Sequence, residues 1–159
     1  MDDEAHPAGR RAALTALLVA SLVAVVAVTL APRGSGWSWG SPAVELRWYV
    51  TGLGSAATRV QLLGNLGLLT LPAAGAVLRW PSLGRPAVLA GISLAAGTTI
   101  ELLQWALPLG RVVSPLDALI NAGGAVTAGL LVASRRVRDL GGLRVQASSF
   151  PQPGPGPGR

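Results

Sequence analysis

Residues 87–107 read AVLAGISLAAGTTIELLQWAL and decide the fold class of this chain. A membrane-spanning helix needs about 20 mainly apolar residues, and this stretch has that length with Glu101 and Gln104 as its strongly polar side chains. No run in the chain alternates with the period of two that marks a strand, so strands are improbable. We predict an all-α integral membrane bundle of four transmembrane helices joined by an outer loop over residues 33–59. The four predicted helices are residues 12–32, 60–78, 87–107 and 117–133.

The composition also places the chain in a membrane. Of 159 residues, 50% are hydrophobic and 13% are charged, whereas a soluble domain has about 25% charged residues. This excludes an ordinary soluble enzyme, a disordered chain and a nucleic-acid reader. The chain has no cysteine, and its single histidine, His6, lies in a polar tail. We therefore expect no cofactor and no metal site.

Arginine side chains flank the apolar segments and predict their orientation, because cytoplasmic loops carry more positive charge than outer loops. An orientation with both termini cytoplasmic places the larger set of arginines inside. That inner set is Arg10, Arg11, Arg79, Arg85, Arg135, Arg136, Arg138 and Arg144, against Arg33, Arg47, Arg59 and Arg111 outside.

Two tails flank the membrane domain, which spans residues 12–133. Residues 1–11 form a cytoplasmic tail, and residues 134–159 form a cytoplasmic, Pro/Gly-rich tail whose composition predicts disorder. The first apolar segment follows two arginines, as in a signal peptide. It is longer than the usual signal core of about 7–15 residues, however, and Pro32 makes cleavage awkward. The length of the apolar segment and the position of Pro32 therefore favour a helix that is not cleaved from the protein.

The outer loop carries a cluster of aromatic side chains. Rings with a polar edge settle at the headgroup level of a bilayer, so the loop is predicted to lie on the outer interface as an aromatic anchor. A stacking surface for a sugar or a lipid headgroup is the alternative. The residues are Trp37, Trp39, Trp48 and Tyr49.

Polar side chains within and between the apolar segments are the candidate site. A charge at the centre of a membrane helix costs about 2.5–3.5 kcal/mol, so such a group is a functional candidate by default. The predicted topology puts all of them in the outer half of the bilayer or the outer loop, and helix spacing pairs several of them on shared faces. We expect them to converge at one site. They are Asn65, Glu101, Gln104, Arg111, Asp117 and Asn121.

Structural roles compete with this site. Ser114 and Pro115 resemble an N-cap and a first-turn proline, which makes Asp117 a capping acid. Asn65 and Asn121 can serve as interhelical hydrogen-bonding groups. Close packing is predicted for the small residues Gly123, Gly124, Ala128 and Gly129.

A packing role explains Glu101 less well than the other polar residues. Glutamine could fill the same role without the free-energy cost of a charge in a membrane helix. We predict that its carboxylate is offset by a functional ligand or by an ion pair. The predicted partner is Arg111, and Arg59 is the alternative.

The order of these residues resembles the VanZ-like family of bacterial integral membrane proteins. It is similar to the family's series E-L-x-Q, R, D-x-x-x-N and G-x-x-x-x-G, and covers residues 59–132. Asn65 and Pro72 are similar to residues of the preceding helix, with the spacing displaced by one residue. The residues that carry the main series are Glu101, Leu102, Gln104, Arg111, Asp117, Asn121, Gly124 and Gly129.

The resemblance implies a four-helix protein of the bacterial plasma membrane that acts at the cell envelope. The family is named for a protein associated with teicoplanin tolerance, and no established catalytic mechanism comes with it. We expect an outer-leaflet polar site that binds a lipid-linked or glycan ligand. An enzymatic version would use Glu101 or Asp117 as a general base, but the sequence shows no nucleophile or phosphate cradle.

Two other functions compete with envelope-ligand binding. The first is a non-catalytic membrane scaffold or partner subunit whose polar residues only lock helix packing. The second is a small transporter, which the narrow bundle and the lack of an internal repeat disfavour.

The predicted orientation can be tested with single cysteines in this cysteine-free chain. An impermeant thiol reagent is expected to label Ser41→Cys, and not Ser134→Cys, in intact cells. The reverse pattern would invert the topology, and labelling of both would show that the segments are miscounted.

Overall fold

The computed structural model describes residues 7–148, with side chains for residues 8–138. His6 and the end of the Pro/Gly-rich tail, residues 149–159, lie outside the described residues. The elements in chain order are α1 Pro7–Leu30, β1 Trp37–Trp39, α2 Pro42–Gly52, α3 Ala56–Leu68, α4 Thr70–Arg79, a short 3-10 helix Pro81–Gly84, α5 Pro86–Ala106, β2 Arg111–Val113 and α6 Pro115–Ser148.

Four helical segments are long and apolar enough to cross a membrane, which confirms the predicted all-α membrane bundle. Large apolar side chains such as Val23, Leu63 and Leu119 are exposed along them, as expected for helices whose solvent is lipid. The four spans are Ala8–Leu30, Ala56–Arg79, Pro86–Ala106 and Pro115–Arg138.

Helix α6 is the centre of the bundle, because it packs against α3, α4 and α5. Helix α1 packs mainly against α4. One buried residue from each span meets in the apolar core: Val25, Leu69, Ile100 and Ala125. The first apolar segment is therefore a packed member of the bundle.

The second span is broken near its middle, between α3 and α4. Leu69 has φ −100° and ψ 4°, outside helical values. Pro72 follows in the first turn of α4, and because proline has no N–H it cannot donate to the carbonyl four residues earlier. The break places Leu69 in the core.

A two-stranded parallel sheet joins the two loops at one end of the bundle, which we call the strand end (residues 31–55 and 107–114). Trp37 pairs with Arg111 and Trp39 with Val113. The prediction that the chain has no strand is wrong here. Two strands of three residues are too short to show a period of two, and they pair only because the fold brings distant loops together.

Gly110 permits the loops to approach. Its φ is +65°, and a Cβ at this position would lie 2.5 Å from the Cα of Gly34. Its N–H donates to the carbonyl of Gly36 at 2.7 Å. A side chain at residue 110 would therefore separate the two loops as well as strain the backbone.

The segments between and after the spans differ from the prediction in two places. The predicted outer loop contains α2, which starts at Pro42 after the N-cap residue Ser41. Helix α6 continues to Ser148, so residues 134–148, assigned above to a disordered tail, are helical. An uninterrupted helical backbone satisfies its own hydrogen bonds, and no proline or capping turn stops this one at residue 133.

Close packing of small residues is confirmed at Gly124 and Gly129 and is wrong for Gly123. A Cβ on Gly124 would overlap the carbonyl oxygen of Leu66 in α3. On Gly129 it would meet the Leu89 side chain of α5, and on Gly123 it would meet nothing. Gly97 adds a contact of the same kind, since its Cβ would lie 2.6 Å from the Ala118 carbonyl oxygen.

Adjacent glycines of α6 allow a matched stability test. Gly124→Ala is expected to lower the stability of the detergent-solubilised protein by about 1–3 kcal/mol, because backbone atoms of α3 must move. Gly123→Ala faces open space and is expected to leave stability unchanged or to raise it by up to about 1 kcal/mol. Thermal unfolding followed by size-exclusion chromatography measures both, and equal effects would contradict the α3–α6 contact.

Candidate functional site

Ser114, buried at the strand end just before α6, is the junction of the polar site. Its backbone N–H donates to Oε2 of Glu101 in α5 at 2.7 Å, and its hydroxyl donates to Oε2 of Glu45 in α2. The same hydroxyl oxygen accepts from the N–H groups of Leu116 and Asp117 at 3.1 and 3.2 Å. This confirms the predicted N-cap, and one residue thereby connects three helices.

A second set of contacts surrounds the Asp117 carboxylate. The Tyr49 hydroxyl of α2 donates to Asp117 Oδ1 at 2.9 Å, and the Asn65 amide of α3 donates to the Tyr49 hydroxyl at 3.5 Å. The amides of Gln61 and Asn65 also lie beside this carboxylate. Asp117 is therefore more than a capping acid, since it also holds α2 and α3 against α6.

Two α2 side chains in the site, Glu45 and Tyr49, have raised pKa values. Burial raises the pKa of Glu45 above 4.5, with a further contribution from the negative charge of Asp117, although the Ser114 hydroxyl opposes the rise. Burial and the hydrogen bond to Asp117 raise the pKa of the Tyr49 phenol. Tyr49 therefore stays a hydrogen-bond donor at neutral pH.

Arg111 does not pair with Glu101, so that prediction is wrong. Its guanidinium donates to the carbonyls of Val28 and Ala31 at 2.5 and 3.1 Å, and so satisfies the free carbonyls at the end of α1. The alternative partner, Arg59, donates to the carbonyls of Leu53 and Gly54 at 2.8 and 2.9 Å. Free backbone carbonyls near lipid need donors, and the two arginines supply them.

The two remaining predicted residues are both buried. The amide of Gln104 donates to the carbonyl of Thr29 at 3.1 Å, which ties α5 to α1. Asn121 is 2% exposed, and its Oδ1 has no hydrogen-bond partner among the described residues. Gln104 is thus a helix-locking residue. The predicted interhelical hydrogen bonding of Asn121 does not include its side-chain oxygen within the described part of the chain.

Five of the six predicted residues thus divide into two groups at the strand end, and Asn121 belongs to neither group. Asn65, Glu101 and Asp117 are connected through Ser114 and α2 side chains. Gln104 and Arg111 are instead directed to the end of α1. The contacts therefore do not bring all these residues together at one site, contrary to the prediction.

A cleft of about 580 Å³ opens on the side of the bundle between α5 and α6. Glu101 lines it although the residue is only 8% exposed. The other lining residues are apolar except for Thr98, and Trp39 of β1 and Val113 of β2 close the cleft at the strand end. The arrangement is a hydrocarbon-sized groove with one carboxylate in its wall.

The aromatic residues of the predicted outer loop have different positions. Trp37 and Trp39 are 51% and 61% exposed, and Trp48 is also exposed. Tyr49 is 5% exposed, so its assignment to a surface anchor is wrong. Its hydroxyl needs a partner when it is buried, and Asp117 provides one.

Sequence reasoning missed Glu45, Tyr49 and the second role of Ser114. A signal for the first two was present, because Glu45 and Tyr49 are four residues apart, and this spacing puts them on one face of a helix that follows Ser41 and Pro42. Within the described residues, no group of three His, Cys, Asp or Glu side chains is arranged to hold a metal ion.

Comparison with family models, with curated proteins and with solved structures finds no match for this chain. The resemblance to the VanZ-like family therefore stays a prediction that rests on the residue series in α5, β2 and α6.

Ser114→Ala is expected to lower stability by about 0.5–2 kcal/mol, because it removes the capping hydroxyl of α6 and the link to Glu45. The backbone hydrogen bond to Glu101 remains. Ser41→Ala is the matched control, since Ser41 is the N-cap of α2 but makes no side-chain capping hydrogen bond. Thermal unfolding in detergent measures the two variants, and equal losses would refute the junction role.

Proposed function

We propose that this chain is a VanZ-like protein of the bacterial plasma membrane that acts at the cell envelope by binding a lipid-linked or glycan-bearing ligand. In this proposal the strand end faces outward and both termini are cytoplasmic. Glycopeptide tolerance is the phenotype that the resemblance suggests.

The cleft between α5 and α6 is the observation that carries the proposal. Its lining residues on α5 run from Leu94 to Trp105, about 16 Å at 1.5 Å per residue. This length suits a hydrocarbon chain. Because the cleft opens sideways between two membrane-spanning helices, a ligand can enter from the bilayer without crossing the polar end of the bundle.

Polar groups near one end of the cleft suit a head group. Glu101 lies in the wall, and Trp39 lies at the strand end. Indole rings prefer the boundary between hydrocarbon and headgroups, which supports a position of the carboxylate close to that level. A ligand with its chain in the bilayer would bring its polar part to the same depth.

Arg111 has a different part in this proposal from the one that the sequence suggested. A fork-shaped guanidinium is well suited to phosphate oxygens, but this one is directed to the carbonyls at the end of α1. Ligand recognition is therefore assigned to Glu101 and the cleft walls, and Arg111 is assigned to helix packing.

A non-catalytic scaffold or partner subunit is the second candidate. Its support is that polar groups of the site have partners inside the protein: Gln104 donates to the Thr29 carbonyl, and Glu101 accepts from the Ser114 amide. In this reading the cluster only locks α1, α2, α5 and α6 together.

Teicoplanin susceptibility separates the two candidates. A sensitive host is made to express wild type, Glu101→Gln or Gln104→Ala at matched membrane levels. Wild type is expected to protect. Glu101→Gln should lose most of the protection, because removal of a charged partner weakens binding by about tenfold or more. Gln104→Ala, which changes a packing contact outside the cleft, should retain it.

The outcomes have distinct meanings. If wild type gives no protection, the tolerance function is wrong for this chain. If Glu101→Gln protects as well as wild type, the carboxylate is scaffolding and the second candidate is favoured.

A further inference from the structure

We propose that the cleft between α5 and α6 binds an amphiphile with an ammonium head group, with the ammonium against the Glu101 carboxylate and the hydrocarbon chain along the two helices. This inference rests on the proposed function, since it names the ligand class of the same site.

The cleft offers one charged contact and otherwise apolar walls. Of its lining residues in the described part of the chain, Glu101 alone has an ionisable side chain. The walls that would hold the chain come from α5 and α6, at Leu94, Leu102 and Leu119. A ligand that fills the cleft must therefore satisfy one carboxylate and leave its remaining surface apolar.

The Glu101 carboxylate retains hydrogen-bonding capacity beyond its bond to Ser114. A carboxylate has two oxygens and accepts about four hydrogen bonds. Among the described residues, it accepts the bond from Ser114, and this occupies Oε2. The Ser114 amide thus anchors Oε2 and restricts the motion of the side chain, while Glu101 remains part of the cleft wall.

The charges around Glu101 favour a cation. The Glu45 carboxyl group and the backbone N–H of Asp117 both bond to Ser114, whose amide donates to Glu101, so two further acidic residues lie close to the Glu101 carboxylate. The guanidinium of Arg111 is held by α1 carbonyls, and that of Arg59 by the carbonyls that precede α3. A phosphate or sulfate in the cleft would face net negative charge, whereas an ammonium would reduce it.

Two indole rings in the cleft wall also favour a cation as the ligand. Trp39 and Trp105 line the cleft together with Glu101. A cation near the face of an indole ring is attracted by the ring quadrupole, and the attraction is larger where water is excluded. A carboxylate and two indoles around an apolar groove form a suitable site for an ammonium joined to a chain.

The test measures quenching of tryptophan fluorescence by brominated chains of equal length. Full-length protein in maltoside micelles is titrated with bromodecylammonium, bromodecanol or bromodecyl phosphate. Trp105→Phe identifies the part of the signal that arises from the α5 wall of the cleft. Comparison of three head groups on wild type requires no change in the protein, so it tests the inference even if a variant fails to fold.

The ammonium is expected to bind about tenfold more tightly than the alcohol, and the phosphate no better than the alcohol. Glu101→Gln keeps the shape of the side chain and the acceptor for Ser114. It should lower the affinity for bromodecylammonium to that for bromodecanol. Glu45→Gln removes a carboxylate behind the cleft, and should weaken ammonium binding less than Glu101→Gln does.

Other results would overturn the inference in separable ways. Equal binding of the three brominated compounds, or tightest binding of the phosphate, would refute the preference for an ammonium head group. The cleft would remain a ligand site. An equal loss in Glu45→Gln and Glu101→Gln would refute direct contact at Glu101. Failure of every chain to give saturable, Trp105-dependent quenching would refute the ligand site itself and the proposed function with it.

Discussion

The double hydrogen bonding of Ser114 is the interaction on which the strand end depends. Its amide holds the Glu101 carboxylate of α5, and its hydroxyl holds Glu45 of α2 while it caps α6. Because Ser114 follows β2 directly, the strand pair fixes the position of this residue. The site therefore requires that the sheet, the capped helix and α2 are all in place.

Packing and ligand binding are compatible at Glu101, because its bond to Ser114 among the described residues occupies one carboxylate oxygen, Oε2. A charge within a membrane helix must be offset, and the Ser114 amide offsets part of the cost through one oxygen. The open side of the residue lines an apolar cleft. A side chain that is anchored by a hydrogen bond in the wall of a cleft is preorganised for a ligand, because part of its rotamer freedom is already lost.

Helix ends show why polar residues in this chain have two different uses. A helix that ends near lipid leaves carbonyls that need donors, and Gln104 and Arg111 supply them to α1. Asn65 and Asp117 instead secure the short helix α2 through Tyr49. Residues that are neighbours in the sequence motif thus hold different helices, and among the polar ones named here only Glu101 lines the cleft.

The sequence by itself determined the four apolar helices and the cap at Ser114. These depend on local quantities: the length of an apolar run, a three-residue capping pattern and the rise of a helix. Only the tertiary structure decided the partner of Glu101, the turning of Arg111 towards α1, the strand pair, and the burial of Tyr49. Each of these joins residues far apart in the chain, and which donor reaches which acceptor depends on how the loops at residues 31–55 and 107–114 pack against each other. Apolar periodicity carries no information about that packing.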